Sequence, residues 1–152
     1  MLRRNINPAR PLGQVSAEDL NKLIADFTKA IKSDPEDVQA YYGRGIAYMT
    51  KGRYQRRRDY LGQGDIDKAI ADFTQAIRLG VTDPDVYMRR GATYQANGEL
   101  DKAIADFTEA IRIAPTEPKA YSARANAYER KKQRDKARAD RSKAKELTPP
   151  AE

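Results

Sequence analysis

One feature constrains the fold of this chain more than any other: a short sequence recurs four times without gaps. The copies NKLIADFTKAIKSD, DKAIADFTQAIRLG, DKAIADFTEAIRIA and DKARADRSKAKELT begin 46, 34 and 34 residues apart. They occupy residues 21–34, 67–80, 101–114 and 135–148. A second type of segment precedes the last three copies, at residues 40–52, 86–98 and 120–132. The 34-residue period of the last three copies indicates stacked supersecondary units, and the first spacing is 12 residues longer.

Both types of segment have the residue spacing of an α-helix. In residues 86–98 and 101–114, apolar or small residues recur three and four positions apart. Pro84 and Pro118 stand where the first turn of a helix accepts proline, and Gly98 stands where the first helix of a unit would end. Each unit is therefore predicted to be a helix, a tight turn and a second helix.

The recurring residues resemble the tetratricopeptide repeat family, whose unit is a 34-residue helical hairpin. The best copy of its pattern is Tyr87, Gly91, Tyr94, Gly98, Ala103, Phe107, Ala110 and Pro115. The last copy departs from the pattern because Arg141 stands where the aromatic residue belongs. The resemblance covers about residues 16–149 and implies an all-α, right-handed superhelix with one N-terminal helix and three helix pairs.

The same alignment predicts the domain boundaries. A mobile basic tail is expected at 1–15, followed by a single repeat domain at 16–149. Its parts are a half repeat at 16–37 and repeats at 38–83, 84–117 and 118–149. The first full repeat carries a 12-residue basic insertion at 53–64. We expect Gly52 and Gly64 to occupy turns between paired helices, with residues 53–61 either extending the preceding helix or forming a loop.

Arginine and aspartate recur together inside the predicted units. Arginine replaces the family's leucine in three first helices, and an aspartate precedes the aromatic position of the second helices. These residues are Arg44, Arg90 and Arg124, with Asp26, Asp72, Asp106 and Asp140. Two interpretations are open: ion pairs that link the two helix types, or arginines that extend to solvent. We favour the ion pairs because both partners recur.

The composition leaves little for catalysis. The chain contains no histidine and no cysteine, so it lacks the usual general base, thiol chemistry and the commonest metal ligand. Ser16 is placed as a helix cap, and Ser33, Ser122 and Ser142 have no histidine to activate them. We therefore expect a protein that is not an enzyme and that holds no cofactor and no metal.

The sequence also lacks targeting signals. No apolar run approaches the roughly 18 residues that a membrane span needs. The N-terminus has early arginines but no apolar stretch after them, unlike a secretory signal. A cytoplasmic location without membrane contact is the resulting prediction.

The resemblance implies a protein–protein interaction scaffold, with a concave groove lined by the first helix of each pair. Candidate groove residues are Tyr42, Ile46, Met49, Met88, Arg89, Gln95, Lys119 and Asn126. The four apolar ones would form a stripe for a peptide or a partner helix; alternatively, they pack against the insertion or the tail. Some family members clamp a C-terminal carboxylate with lysine and asparagine residues. Here only Lys119 agrees with that clamp, which disfavours this mode of binding.

The net charge of +7 is unevenly spread and permits a second function. Residues 1–10 contribute +3, residues 51–64 contribute +4 and residues 130–146 contribute +6. A basic patch of Arg53, Arg56, Arg57 and Arg58 lies in the insertion. With the C-terminal helix it could bind nucleic acid or another polyanion; the other interpretation is a solvated charged face. The single first helix, having no partner, leaves self-association open.

Overall fold

The computed structural model describes residues 15–56 and 63–148, and for residues 54–56 it describes the backbone alone. All regular structure in this part of the chain is α-helical, as the repeat pattern predicts. The seven helices are α1 (Ala17–Ser33), α2 (Val38–Arg56), α3 (Gln63–Arg78), α4 (Pro84–Ala96), α5 (Leu100–Ile113), α6 (Pro118–Arg130) and α7 (Arg134–Leu147). The predicted tail lies almost wholly outside the described residues.

Each helix packs on its neighbours in sequence. α2 pairs with α3, α4 with α5 and α6 with α7, and α1 packs on α2. The second helix of one pair also packs on the first helix of the next, as α3 does on α4 and α5 on α6. The first helices α2, α4 and α6 touch one another side by side. This is the predicted arrangement of one single helix and three pairs.

Local sequence explains where the helices begin and end. The Ser16 hydroxyl accepts a hydrogen bond from the Asp19 amide, and the Asp19 carboxylate accepts one from the Ser16 amide, so a capping box starts α1. Pro84 and Pro118 begin α4 and α6, where their missing N–H groups have no intrahelical partner to lose. After α4 the chain reverses at Gly98, with a φ of 83° that suits glycine.

The insertion changes the first hairpin in a way that corrects one prediction. α2 continues to Arg56, whereas α4 ends at Ala96, which aligns with Thr50. Gly52 therefore lies inside α2, and Gly64 lies in the first turn of α3. Neither glycine occupies a turn, because the added residues lengthen both helices of the hairpin. Residues 57–61 of the predicted extension fall outside the described part.

Small residues and aromatic rings fill the inside of the first two full pairs. Phe73 and Phe107 are both fully buried, and each ring lies under a glycine of the partner helix. A β-carbon on Gly45 would come within 2.8 Å of the Phe73 ring, and one on Gly91 within 2.7 Å of the Phe107 ring. The glycines therefore allow the helices of a pair to approach closely around each ring.

The arginine and aspartate residues form the expected ion pairs inside each pair of helices. Nε and Nη2 of Arg90 donate to the two carboxylate oxygens of Asp106, at 2.8 and 2.7 Å. The same two bonds join Arg44 to Asp72 and Arg124 to Asp140. Hydrogen bonds to the aspartates raise the pKa of all three guanidinium groups above its usual value.

A third bond, which was not predicted from the sequence, ties each ion pair to the preceding repeat. Nη1 of Arg90 donates to the Thr74 hydroxyl of α3 at 3.1 Å, and Thr74 in turn donates to the Ile70 carbonyl. Arg44 reaches Thr28 and Arg124 reaches Thr108 in the same way. One arginine therefore joins three helices, which fixes the stacking of successive repeats as well as each hairpin.

Candidate functional site

The candidate site is the face that α2, α4 and α6 share. The predicted groove residues come from these three helices, and most of them keep some exposure. Lys119 and Asn126 are exposed, whereas Tyr42, Ile46, Met88, Arg89 and Gln95 are partly buried. Exposed small residues such as Ala92 lie between them. This face therefore combines polar side chains with partly buried apolar ones.

Met49 is the most deeply buried of the predicted groove residues. Its side chain is 8% exposed and belongs to a buried cluster with Phe73 and Val86. Tyr42 and Ile46 pack against the same cluster. The apolar residues of α2 thus help to join the first pair to α4. The alternative that they pack against the insertion or the tail concerns segments that lie mostly outside the described residues. Only a small part of the Met49 side chain therefore reaches the surface of this face.

One end of the face carries a hydrogen-bonded triad from two successive repeats. The Tyr42 hydroxyl of α2 donates to the Asp85 carboxylate of α4. Nε of Arg89, one turn further along α4, donates to the same carboxylate at 2.6 Å and to the Tyr42 oxygen at 2.8 Å. The guanidinium also lies over the Tyr42 ring, 5.8 Å from its centroid.

The pKa shifts of Tyr42 and Asp85 favour the protonation states that these hydrogen bonds require. Burial, together with the Asp85 carboxylate, raises the pKa of Tyr42 to about 12, so the phenol stays protonated and donates. Burial opposes the charged form of Asp85, but hydrogen bonds from Tyr42 and Arg89 hold the pKa of that carboxyl below its usual value. The charge of Lys119, on α6, acts on Asp85 in the same direction. Three successive first helices thus contribute to one polar cluster.

Arg89 keeps binding capacity within this cluster. Both of its hydrogen bonds use Nε, and its terminal nitrogens make no hydrogen bond within the described chain. A guanidinium held in place by two partners but with free N–H groups is suited to bind a peptide carbonyl or a carboxylate. Because Tyr42 and Asp85 orient it in advance, less conformational entropy is lost on binding.

The other end of the face holds a cleft of about 290 Å³. Met49, Ile66, Ala92 and Thr93 contribute to its walls, and Arg53 also lines it. The remaining lining residues are Gln95, Ala96 and Arg130. Nη1 of Arg130 donates to the Gln95 carbonyl at 2.5 Å, which ties α6 to α4 at this point. The cleft combines an apolar floor with two guanidinium groups.

Of the predicted basic patch, the structure describes the side chain of Arg53 alone. Arg53 is exposed and belongs to the cleft just described, so it adjoins the groove. Arg56 ends α2, but its side chain is not described, and Arg57 and Arg58 lie outside the described residues. A surface formed by these four arginines therefore stays a prediction.

The arrangement on this face is suited to binding rather than to covalent chemistry. The Tyr42 phenol is held in its neutral form, and Asp85 is neutralised by Arg89, so neither is poised as a base or a nucleophile. The described residues contain no group of three acidic, histidine or cysteine side chains that could hold a metal. None of the described helices has the length and apolarity to cross a membrane.

Comparisons with known proteins agree with this architecture. The sequence model of the family described as tetratricopeptide repeat matches residues 24–56 and 58–118, more than half of the chain. A search of curated protein sequences finds no significant match.

Among solved structures, the thermophilic TPR protein TTC0263 of Thermus thermophilus is 26% identical, with a TM-score of 0.72 over 86% of this chain and 66% of its own. MamA MSR-1 is 20% identical, with a TM-score of 0.71 over 90% of this chain and 71% of its own. MamA from Desulfovibrio magneticus RS-1 is 22% identical, with a TM-score of 0.64 over 86% and 67%. The two MamA structures support the fold alone. Given the family match and the stacked helix pairs, this chain belongs to the tetratricopeptide repeat family.

Proposed function

We propose that this protein is a non-catalytic interaction module that binds a peptide or a partner helix along the face of α2, α4 and α6. Its fold is that of a repeat scaffold, whose side-by-side first helices form an extended surface for a ligand. The observation that carries the proposal is Arg89, which Tyr42 and Asp85 orient while its terminal nitrogens stay unpaired in the described chain.

The two ends of this face suggest how a peptide would lie. At one end, Arg89 and Lys119 provide cationic donors for backbone carbonyls or for a carboxylate. At the other end, the cleft beside Ala92 provides an apolar floor for a side chain. A peptide that spans both would combine one oriented polar anchor with one buried apolar anchor, the usual composition of a small interface core.

Peptide display tests this proposal even though the natural partner is unidentified. Peptides that bind the wild-type protein are selected from a random library, and their affinity is then measured for two variants. Ala92→Arg places a long side chain in the cleft, whereas Ala105→Arg places the same side chain on exposed α5 surface. Both variants add one positive charge to an exposed alanine, so they are matched in charge and in helix context.

We expect Ala92→Arg to weaken the selected peptides by about ten-fold or more, because it fills the cleft, and Ala105→Arg to change affinity by less than about two-fold. Equal affinities for both variants would place the binding site elsewhere and contradict the proposal. Melting curves of the two variants check that neither substitution disturbs the fold.

A further inference from the structure

The last helix replaces an apolar stripe with a cationic one. Four residues of α7, Arg134, Arg138, Arg141 and Lys145, follow one another at helical spacing and are all exposed. We call them the end-face stripe. The equivalent residues of α5 are Leu100, Ile104, Phe107 and Ile111, and those of α3 are Ile66, Ile70, Phe73 and Ile77. The helix backbone is the same, but in α7 this face carries cationic side chains in place of apolar ones.

The stripe occupies a position that another helix covers in the rest of the molecule. α1 packs on α2, α3 on α4 and α5 on α6, so each earlier second helix supports the first helix of the following pair. Within the described residues, α7 contacts α6 alone. The corresponding surface of α7 therefore carries no helix from the described residues.

A solubilising end would not require four cations. Neutral or mixed polar side chains would also keep water at the surface, whereas like charges one turn apart repel and destabilise a helix. Arg141 has one partner, Glu129 of α6, at 2.9 Å. Arg134, Arg138 and Lys145 make no ion pair in the part of the chain that the structure describes. An anionic occupant would relieve this repulsion.

The shape of the open surface suits a helix. The stripe borders a cleft of about 360 Å³, whose other lining residues are Glu129 and Ser142. It extends over three helical turns, roughly 16 Å at 1.5 Å per residue. Ser142 stands where Thr74 and Thr108 accept a hydrogen bond from the following repeat, so a hydroxyl is available in the same register.

We propose that an acidic helix of a partner protein docks on the end-face stripe, in the place that α2, α4 and α6 take on the earlier repeats. This surface is separate from the groove and does not depend on the function proposed for it. The guanidinium forks of three arginines match carboxylates at helical spacing. Nucleic acid fits less well, because none of the residues that line the cleft is aromatic, so bases have no stacking surface.

A synthetic helical peptide serves as the probe. It carries four glutamates at the spacing of the stripe, on a background of alanine and glutamine, and a control peptide of identical composition has the glutamates spread around the helix. Binding of each labelled peptide is followed by fluorescence anisotropy at a salt concentration of about 0.15 M, where distant charges are screened. The proposal requires the first peptide to bind at least about five-fold more tightly than the control.

Two charge-matched variants locate the binding surface. The stripe variant combines Arg134→Gln, Arg138→Gln and Lys145→Gln, which spares the paired Arg141. The control variant combines Lys22→Gln, Lys29→Gln and Lys32→Gln on exposed positions of α1. We expect the stripe variant to lose about ten-fold in affinity and the control variant less than about two-fold. Because the replaced arginines and lysine are exposed and unpaired in the described chain, the stripe variant should melt at the wild-type temperature or above it.

Charge reversal adds a gain-of-binding test. A variant with glutamate at positions 134, 138 and 145 should lose the acidic peptide and bind the same helix with lysines in place of its glutamates.

The proposal would be overturned by equal binding of the two acidic peptides, equal losses in the two glutamine variants, no binding in the reversed pair, or tighter stripe-dependent binding of a single-stranded oligouridylate. Concentration-dependent dimerisation that only the stripe variant abolishes would assign the surface to a second copy of the chain, and would overturn it as well.

Discussion

α5 and α7 are equivalent helices of two successive repeats, but they have different neighbours. Both pair with a preceding first helix, and both supply the aspartate that binds an arginine of that helix through two hydrogen bonds. They differ on the opposite side, where α5 is covered by α6 and α7 is open. Phe107 lies between Gly91 of α4 and Ala127 of α6 and is fully buried, whereas Arg141 at the equivalent position is exposed.

The repeats share the interior residues that folding needs and differ in the residues of their outward faces. The inside of each pair keeps its arginine, aspartate and small residues, because the packing of two helices depends on them. The outward faces change from repeat to repeat: Tyr42 of α2 corresponds to Met88 in α4 and to Ser122 in α6. We infer that binding specificity is located on these variable faces, and the interior serves to hold them in register.

The largest expected effect comes from the aromatic position itself. Phe107→Ala should lower the free energy of unfolding by roughly 3–5 kcal/mol, because it empties a fully buried site. Arg141→Ala at the equivalent place should change it by less than about 1 kcal/mol, since only an exposed ion pair is lost. Urea unfolding of both variants measures the contrast. Similar losses in the two variants would show that α7 is packed like α5.

The second prediction concerns the ion pairs, where the two repeats should behave alike. Arg90→Leu and Arg124→Leu should each cost about 3 kcal/mol, because each leaves a buried aspartate without its cation. Replacing both partners, as in Arg90→Leu with Asp106→Leu, should recover most of that loss. Thermal and urea unfolding give the values. A neutral Arg90→Leu would mean that the pair contributes no more than the family's leucine.

The third prediction contrasts Gly91 with Ala125, the equivalent residue of α6, whose repeat has Arg141 at the position of Phe107. Gly91→Ala should cost about 2 kcal/mol, although alanine favours helices, because its β-carbon would lie 2.7 Å from the Phe107 ring. Ala125→Gly should cost about 1 kcal/mol through helix propensity, and somewhat more because the methyl group of Ala125 is fully buried. Combining Gly91→Ala with Phe107→Leu should remove part of the clash. A stabilised Gly91→Ala protein would refute the close-approach explanation.

The smallest effect is expected at the groove face, where α2 alone carries the tyrosine of the triad. The pKa of Tyr42 is raised from 10.0 to about 12, so the folded state holds this proton more tightly than the unfolded state does. The stabilisation is fully present below pH 10 and declines as the pH rises through 12. Alkaline unfolding of wild type and Tyr42→Phe should therefore converge with rising pH. Parallel curves over this range would contradict the hydrogen bond to Asp85.

Much of the fold could be predicted from the sequence because the information is repeated. The same Arg–Asp combination recurs in three repeats, so the sequence alone identifies the two residues as a pair. The threonine partners were missed, although Thr28, Thr74 and Thr108 recur directly after the aromatic position and gave a signal of the same kind. A recurring residue without an obvious local role is therefore worth treating as a contact between repeats.

The groove face was less predictable. Helical spacing assigns Met49 to a face of α2 but does not show that α4 covers it, since that depends on how the first helices touch. The Asp85–Arg89 spacing of one turn indicates an ion pair, yet Tyr42 joins them from 43 residues away and across two repeats. The insertion was equally hard to interpret, because Gly52 suggests a turn and the structure continues the helix through it.

The central claim is that ligands bind along α2, α4 and α6. Amide chemical-shift mapping tests it most directly, by titrating the isotope-labelled protein with a peptide selected by display. We predict that the shifted amides cluster at residues such as Arg89, Ala92, Lys119 and Asn126, while those of exposed α5 positions such as Ala105 stay in place. Shifts concentrated on α3, α5 and the outer face of α7, with the first helices unaffected, would contradict the account.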